Sequence, residues 1–142
     1  MIETWKDIPG YESQYQVSTL GNVWSLDRVI TCEGKVKGKY TSLRKGKLLR
    51  PGRSTSGHLT VALGRGNSRC VHELVLLAFV GPAPVKHECR HLNGNPADNR
   101  LENLKWGTRS ENILDAVAHG TWMTPERIAG CNKGRESRWG KR

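Results

Sequence analysis

Apolar positions are grouped differently along successive stretches of this chain, and each grouping predicts a different element. In residues 3–27, Tyr15, Val17, Val23 and Leu26 mark strand-like pieces around the turn dipeptides Pro9-Gly10 and Gly21-Asn22. Trp5, Ile8, Tyr11 and Tyr15 are expected to make a small core of their own. Residues 28–56 are glycine-punctuated and polar, and end in Pro51-Gly52 and Ser54-Thr55-Ser56. Residues 57–71 read as a hairpin, with His58 to Leu63 as one arm, Arg65-Gly66-Asn67-Ser68 as the turn and Arg69, Cys70 and Val71 as the other. The rhythm then changes. Leu74, Val75, Ala78 and Phe79 fall at helical spacing within residues 72–80, and Gly81-Pro82 and Pro84 stop that helix. His72 opens it and is read as structural.

The stretch from 87 to 120 is the most patterned. A short strand-like run ends at His91, an Asn/Gly-rich loop follows, and Leu104-Lys105-Trp106 is a second apolar run. A helix over 109–119 has clear ends: Thr108 and Glu111 spell a T-x-x-E capping box, and Gly120 supplies the stop. Ile113, Leu114 and Val117 are its expected buried stripe. Asn112 lies one position off that stripe, where it can edge the core and face a cleft. A histidine, an amide to orient it and an oxygen ligand for a metal would together make a compact hydrolytic site.

Charge changes the picture for the remaining segments. Of the net +10, residues 28–53 hold nine basic groups against Glu33 alone (Arg28, Lys35, Lys37, Lys39, Arg44, Lys45, Lys47, Arg50, Arg53). Residues 127–142 hold six against Glu136, which leaves the rest of the chain slightly acidic. Charge concentrated in this way is the footprint of a polyanion binder. Neither basic segment has the apolar stripe of an interfacial helix, so a membrane partner is not expected. Lys35, Lys37 and Lys39 alternate, so on a strand they would project from one face, suited to a phosphate backbone. The four cysteines form no CxxC pair, no run reaches roughly 18 apolar residues, and Met1-Ile2-Glu3-Thr4 opens a polar segment without secretory character. A reduced, cytoplasmic setting is expected.

Two strings carry a family resemblance. Trp5-Lys6-Asp7-Ile8-Pro9-Gly10-Tyr11-Glu12, with Tyr15-Gln16-Val17-Ser18 and Gly21-Asn22-Val23, resembles a DNA-binding module attached to HNH-type homing endonucleases. His91, Asn93-Gly94-Asn95, Asp98-Asn99-Arg100, Leu101 to Trp106 and Thr108 to Asn112 resemble the ββα-metal nuclease motif of that family, of the phage-borne and intron-borne kind. The resemblance implies an α+β fold: a β-rich module at 1–27, a basic connecting segment at 28–56, an HNH nuclease core at 57–120 and a basic tail at 121–142. It further implies a divalent-metal-dependent endonuclease on double-stranded DNA, leaving 5′-phosphate and 3′-hydroxyl ends. His91 matches the general base, Asn103 the residue that orients its ring, and Asn112 the ligand of one Mg²⁺ or Mn²⁺ ion. The basic groups of 35–53 would contact DNA, and nothing in the sequence suggests more than a monomer.

One position departs from the motif. Arg90 stands where Asp or Asn often supplies a second metal oxygen, and a guanidinium cannot bind a cation. Arg90 is therefore read as a phosphate clamp, with Glu88 and Asp98 as substitute ligands. The same departure motivates an alternative function, a DNA-binding protein with a weak or inactive nuclease centre. A rival metal reading also exists. His87, Cys89 and His91 alternate on one strand and, with Cys70, would make a zinc set of acceptable types.

Overall fold

The computed structural model describes residues 2–36 and 38–122. The tail read as a basic arm, and Lys37, lie outside the described residues. The fold is α+β, as the sequence implies, and most of its strands are short.

Strands β1 (Trp5–Asp7), β2 (Tyr15–Ser18) and β3 (Val23–Ser25) form an antiparallel meander, extended at its far edge by β6 (Lys47–Leu48). Between β3 and β6 the chain runs out and back as a two-stranded hairpin, β4 (Arg28–Gly34) and β5 (Gly38–Arg44), in register from Arg28↔Arg44 to Gly34↔Gly38. Every residue of β5 is exposed, including Tyr40 and Leu43, so the hairpin is an arm without a core beneath it. Its root is fixed instead. The guanidinium of Arg28 stacks over the Tyr15 ring at 4.8 Å and donates to the Tyr15 hydroxyl at 2.9 Å.

A second sheet of β7 (Gly52–Arg53), β8 (Leu59–Ala62) and β9 (Ser68–Cys70) leads directly into α1 (Val71–Phe79). Then β10 (His87–His91) pairs antiparallel with β11 (Leu104–Thr108), and α2 (Arg109–Ala118) follows β11 without a break. The capping box is formed. Thr108 Oγ1 accepts from the Glu111 N–H at 3.3 Å, and Glu111 Oε2 accepts from the Thr108 N–H at 2.8 Å.

Two expectations about packing are corrected. The N-terminal module has no core of its own: Ile8, Tyr15, Val17 and Val23 belong to one cluster with Val61, Val71, Leu74, Val75, Leu76 and Leu104. So few apolar side chains cannot dehydrate one another alone, and α1 supplies the opposing surface. The stripe of α2 is the second case. Ile113 is half-buried, but Leu114 and Val117 are 66% and 55% exposed. The helix is seated on β10–β11 by polar contacts of its other side, chiefly Asp115, which turns the apolar stripe outward.

Candidate active site

His91 ends β10, opposite Leu104, and is 9% exposed. Its Nε2 lies 3.2 Å from Asn99 Oδ1. An amide oxygen only accepts, so Nε2–H donates and Nδ1 keeps its lone pair. Burial lowers the pKa of His91 below 6.5; the Asn99 bond acts in the opposite sense and offsets part of the shift. The ring is therefore neutral at pH 7, with a free basic nitrogen.

The side chain that meets the His91 ring is that of Asn99 and not the expected Asn103. The Asn103 side chain is turned into the preceding loop, where Oδ1 accepts from the Asn93 N–H at 2.9 Å. Its Nδ2 donates to Asn93 Oδ1 at 3.0 Å and to the Asp98 carbonyl at 2.9 Å. Asn103 closes a short 3₁₀ turn, Leu101–Asn103, beside that loop, and the loop's polar groups take up its amide. The two asparagines thus share the work: one shapes the loop, and the other holds the ring.

Asn99, 4% exposed, is pressed from behind by the N-terminal module. Gly21 has φ +82°, and a Cβ there would sit 2.8 Å from Asn99 Cβ and 3.0 Å from its carbonyl oxygen. The Leu101 N–H donates to the Thr19 carbonyl at 2.8 Å in the same contact. A turn glycine of the first 25 residues thereby backs the asparagine that holds the His91 ring.

Asn112 and His91 line one cavity of about 440 Å³, together with His58, Asp115 and His119. The two side chains that the sequence expects to work together thus face one cavity. Glu88, on the exposed side of β10, lines an adjoining cavity of about 600 Å³ that Asn112 also borders. Asp98 is committed elsewhere. Arg100 binds it at 2.7 and 2.8 Å and holds its carboxyl down at about 2, so both of its oxygens are already engaged.

Arg90 does not present itself as a clamp. Its Nε and Nη2 donate to Asp115 at 2.7 and 2.9 Å, and Nη1 lies 3.2 Å from Glu111. A Cβ on Gly107 would collide with the Arg90 side chain, so that glycine opens the path from β10 across β11 to α2. Arg90 fixes the helix that carries Asn112 against the strand that carries His91. Replacing it with methionine leaves two carboxylates facing each other, at a cost of about 1–2 kcal/mol after allowance for partial exposure. Thermal melting should read this as a fall of roughly 3–8 °C. Combining it with Asp115→Asn should recover part of the loss; additive losses would refute the coupling.

Sequence reasoning missed a histidine cluster. The rings of His58, His72 and His91 lie 4.9–5.5 Å apart, centroid to centroid. Burial, then His91 and His58, push His72 down to about 4, so it stays uncharged. No local motif links the three residues, because the loop before β8, α1 and β10 meet only in the fold. The strand-borne zinc set is not assembled. His87 Nδ1–H faces the Val85 carbonyl at 2.9 Å, the Cys89 thiol faces the Arg90 carbonyl, and His91 is held by Asn99.

The described basic residues from Lys35 to Arg53 are exposed, at places the pattern only partly foretold. Lys35 lies in the hairpin turn and not on a strand; Lys39 and Arg44 are on β5, Lys47 on β6 and Arg53 on β7, with Lys45 and Arg50 between strands.

A strand pair ending in a buried histidine, a looped asparagine network and a capped helix bearing the Asn112 amide define an HNH-type nuclease fold. Residues 69–114 belong to the HNH endonuclease family, and residues 3–64 match the NUMOD4 motif. The chain is similar to DNA endonuclease I-HmuI of Bacillus phage SP01, 31% identical over 120 residues, covering 82% of this chain and 59% of that protein. An uncharacterised HNH endonuclease of Acanthamoeba polyphaga mimivirus is 33% identical over 135 residues, covering 92% of this chain and 30% of its relative. A solved structure described as DNA binding and cleavage by the HNH homing endonuclease I-HmuI matches with TM-score 0.65 and 28% identity, over 92% of this chain and 66% of that one. The chain therefore spans only part of the length of the relatives it matches.

Proposed function

We propose that this chain hydrolyses phosphodiester bonds of duplex DNA, as a homing-type endonuclease with His91 as general base. The observation that supports this most directly is the neutral, Asn99-held imidazole of His91 opening onto the same cavity as Asn112. Nδ1 takes a proton from water, the water oxygen bonds to phosphorus, and the bond from phosphorus to the 3′ oxygen breaks. The departing oxygen takes a proton from solvent, leaving a 3′-hydroxyl and a 5′-phosphate. The donors suit a hard divalent ion. Asn112 offers a neutral oxygen, Glu88 borders the adjoining cavity, and Mg²⁺ is commonly held by few protein ligands together with phosphates and water. When bound, such an ion, Mg²⁺ or Mn²⁺, would stabilise charge on the phosphate.

In this reading residues 1–27 are the DNA-binding module, 28–56 the basic segment, 57–120 the nuclease core and 121–142 a basic tail, in a monomer working in the cytoplasm of the host cell. Lys35, Lys37, Lys39, Arg44, Lys45, Lys47, Arg50 and Arg53 would track the phosphate backbone. Each such contact contributes about −0.9 to the slope of log affinity against log salt. Replacing Lys39 and Arg44 with alanine should flatten that slope by about 2 in a binding titration. An unchanged slope would take the β4–β5 arm off the duplex.

A second reading, a DNA-binding protein with a weak or inactive centre, is favoured by Arg90 standing where a metal-binding oxygen is usual. Supercoiled plasmid incubated with Mg²⁺ or Mn²⁺ separates the two. Nicked or linear product supports the enzyme, whereas a gel shift without product supports the binding module.

A further inference from the structure

The larger cavity, about 600 Å³, has chemistry that the nuclease reading leaves unused. Its wall includes Cys70, His72 and Glu73, the end of β9 and the first turn of α1. One thiol sulfur, one imidazole nitrogen and one carboxylate oxygen from these residues all lie within 4.8 Å of one another. In tetrahedral zinc sites, bond lengths near 2.0–2.3 Å put neighbouring donor atoms about 3.5 Å apart. Closing the remaining ångström or so needs only side-chain rotation, because the backbone of the helical turn already sets the spacing.

Two further observations point to an ion. The His72 side chain is 92% buried by its 8% exposure, yet its Nδ1 has no hydrogen-bond partner. Buried polar atoms are rarely left in that state. Cys70 is the N-cap residue of α1, and its side chain makes no capping hydrogen bond. The only ion pair of Glu73 among the described residues is a loose one with Arg69 at 4.0 Å, so its carboxylate is free to turn.

We propose that Cys70, His72 and Glu73 form a second metal site, selective for a borderline-soft divalent cation such as Zn²⁺. One sulfur, one nitrogen and one oxygen suit zinc and not magnesium, and three protein ligands leave a fourth position open to the cavity. The site uses none of the donors assigned to the nuclease ion, although Asn112 and Glu88 border the same cavity. The His72 ring also packs against the His91 ring at 5.1 Å. A metal on His72 fixes that ring, and with it one wall of the pocket around the base.

The test uses the full chain, stripped with chelator and titrated with Co²⁺ in place of zinc. One equivalent should produce a near-ultraviolet thiolate charge-transfer band and the visible bands of tetrahedral cobalt, both erased by added Zn²⁺. Cys70→Ser should abolish the charge-transfer band, while Cys32→Ser and Cys89→Ser keep it. Glu73→Gln, at a half-exposed position that tolerates substitution, should weaken cobalt binding by more than about tenfold. Circular dichroism of the metal-free variants separates loss of the site from loss of the fold. No thiolate band at one equivalent, or a band that survives Cys70→Ser in a folded protein, overturns the proposal. So does a band lost only in Cys89→Ser. The readout depends on sulfur, so it is blind to an ion at Asn112.

Discussion

His91→Ala should reduce plasmid cleavage by about 10²–10⁴-fold, the range a positioned general base contributes, while leaving DNA affinity within about twofold. The side chain is buried at the end of a strand and contributes no charge to the phosphate backbone, so binding and chemistry should separate cleanly. The pH profile is the sharper measurement. Burial holds the pKa of His91 below 6.5, and the base must be neutral to accept a proton. Activity should therefore rise with pH through a midpoint below 6.5. A parent profile still climbing well above pH 7, or a His91→Ala protein that cuts normally, would remove His91 from the mechanism.

The second large effect should come from residues behind the His91 ring. Asn99→Ala removes the acceptor for Nε2–H, so the ring loses the bond that keeps Nδ1 basic and aimed. A loss of about 10–100-fold is expected, typical for removal of a group that orients a functional histidine. Because the Asn99 bond raises the pKa of His91, the half-rise of the pH profile should also move lower in this variant. A merely structural defect would not shift it. Gly21→Ala should reproduce the rate loss from a distance. Its Cβ would meet Asn99 at 2.8 Å, and a side chain at φ +82° is strained whatever the space. Gly10→Ala is the control, since its φ of +84° carries the same strain with nothing within 4 Å. If both glycine variants lose activity equally, the contact with Asn99 is not the cause.

These two predictions differ in how much of each was written in the chain. His91 and Asn112 were legible because their elements are locally coded. Trp106 and its neighbours form a short strand next to a helix whose start is fixed by Thr108 and Glu111, and that capping box is made of backbone and side-chain bonds within four residues. The resemblance of the 91–112 string to HNH nucleases then gave their proposed roles as base and ligand. Asn99 was not distinguishable from Asn103 or Asn93, since three amides in one loop have the same chemistry and only the path of the loop decides which faces the ring. Arg90 was read by what a guanidinium can do in the open. Its actual partners, Asp115 and Glu111, come from a helix more than twenty residues away.

The sequence by itself determined the strand–loop–strand–helix order, the helix caps, the concentration of positive charge between 28 and 53 and the kinship with HNH endonucleases. Those properties depend on residue type and short-range spacing, which a linear chain records in full. Tertiary structure alone decided that the N-terminal module shares the core of α1, that Leu114 and Val117 face outward, and that Gly21 backs Asn99. It also gathered His58, His72 and His91 into one cluster and set Cys70, His72 and Glu73 around one cavity. Contacts between distant segments are selected by how whole elements pack, and no local pattern encodes which surfaces will meet.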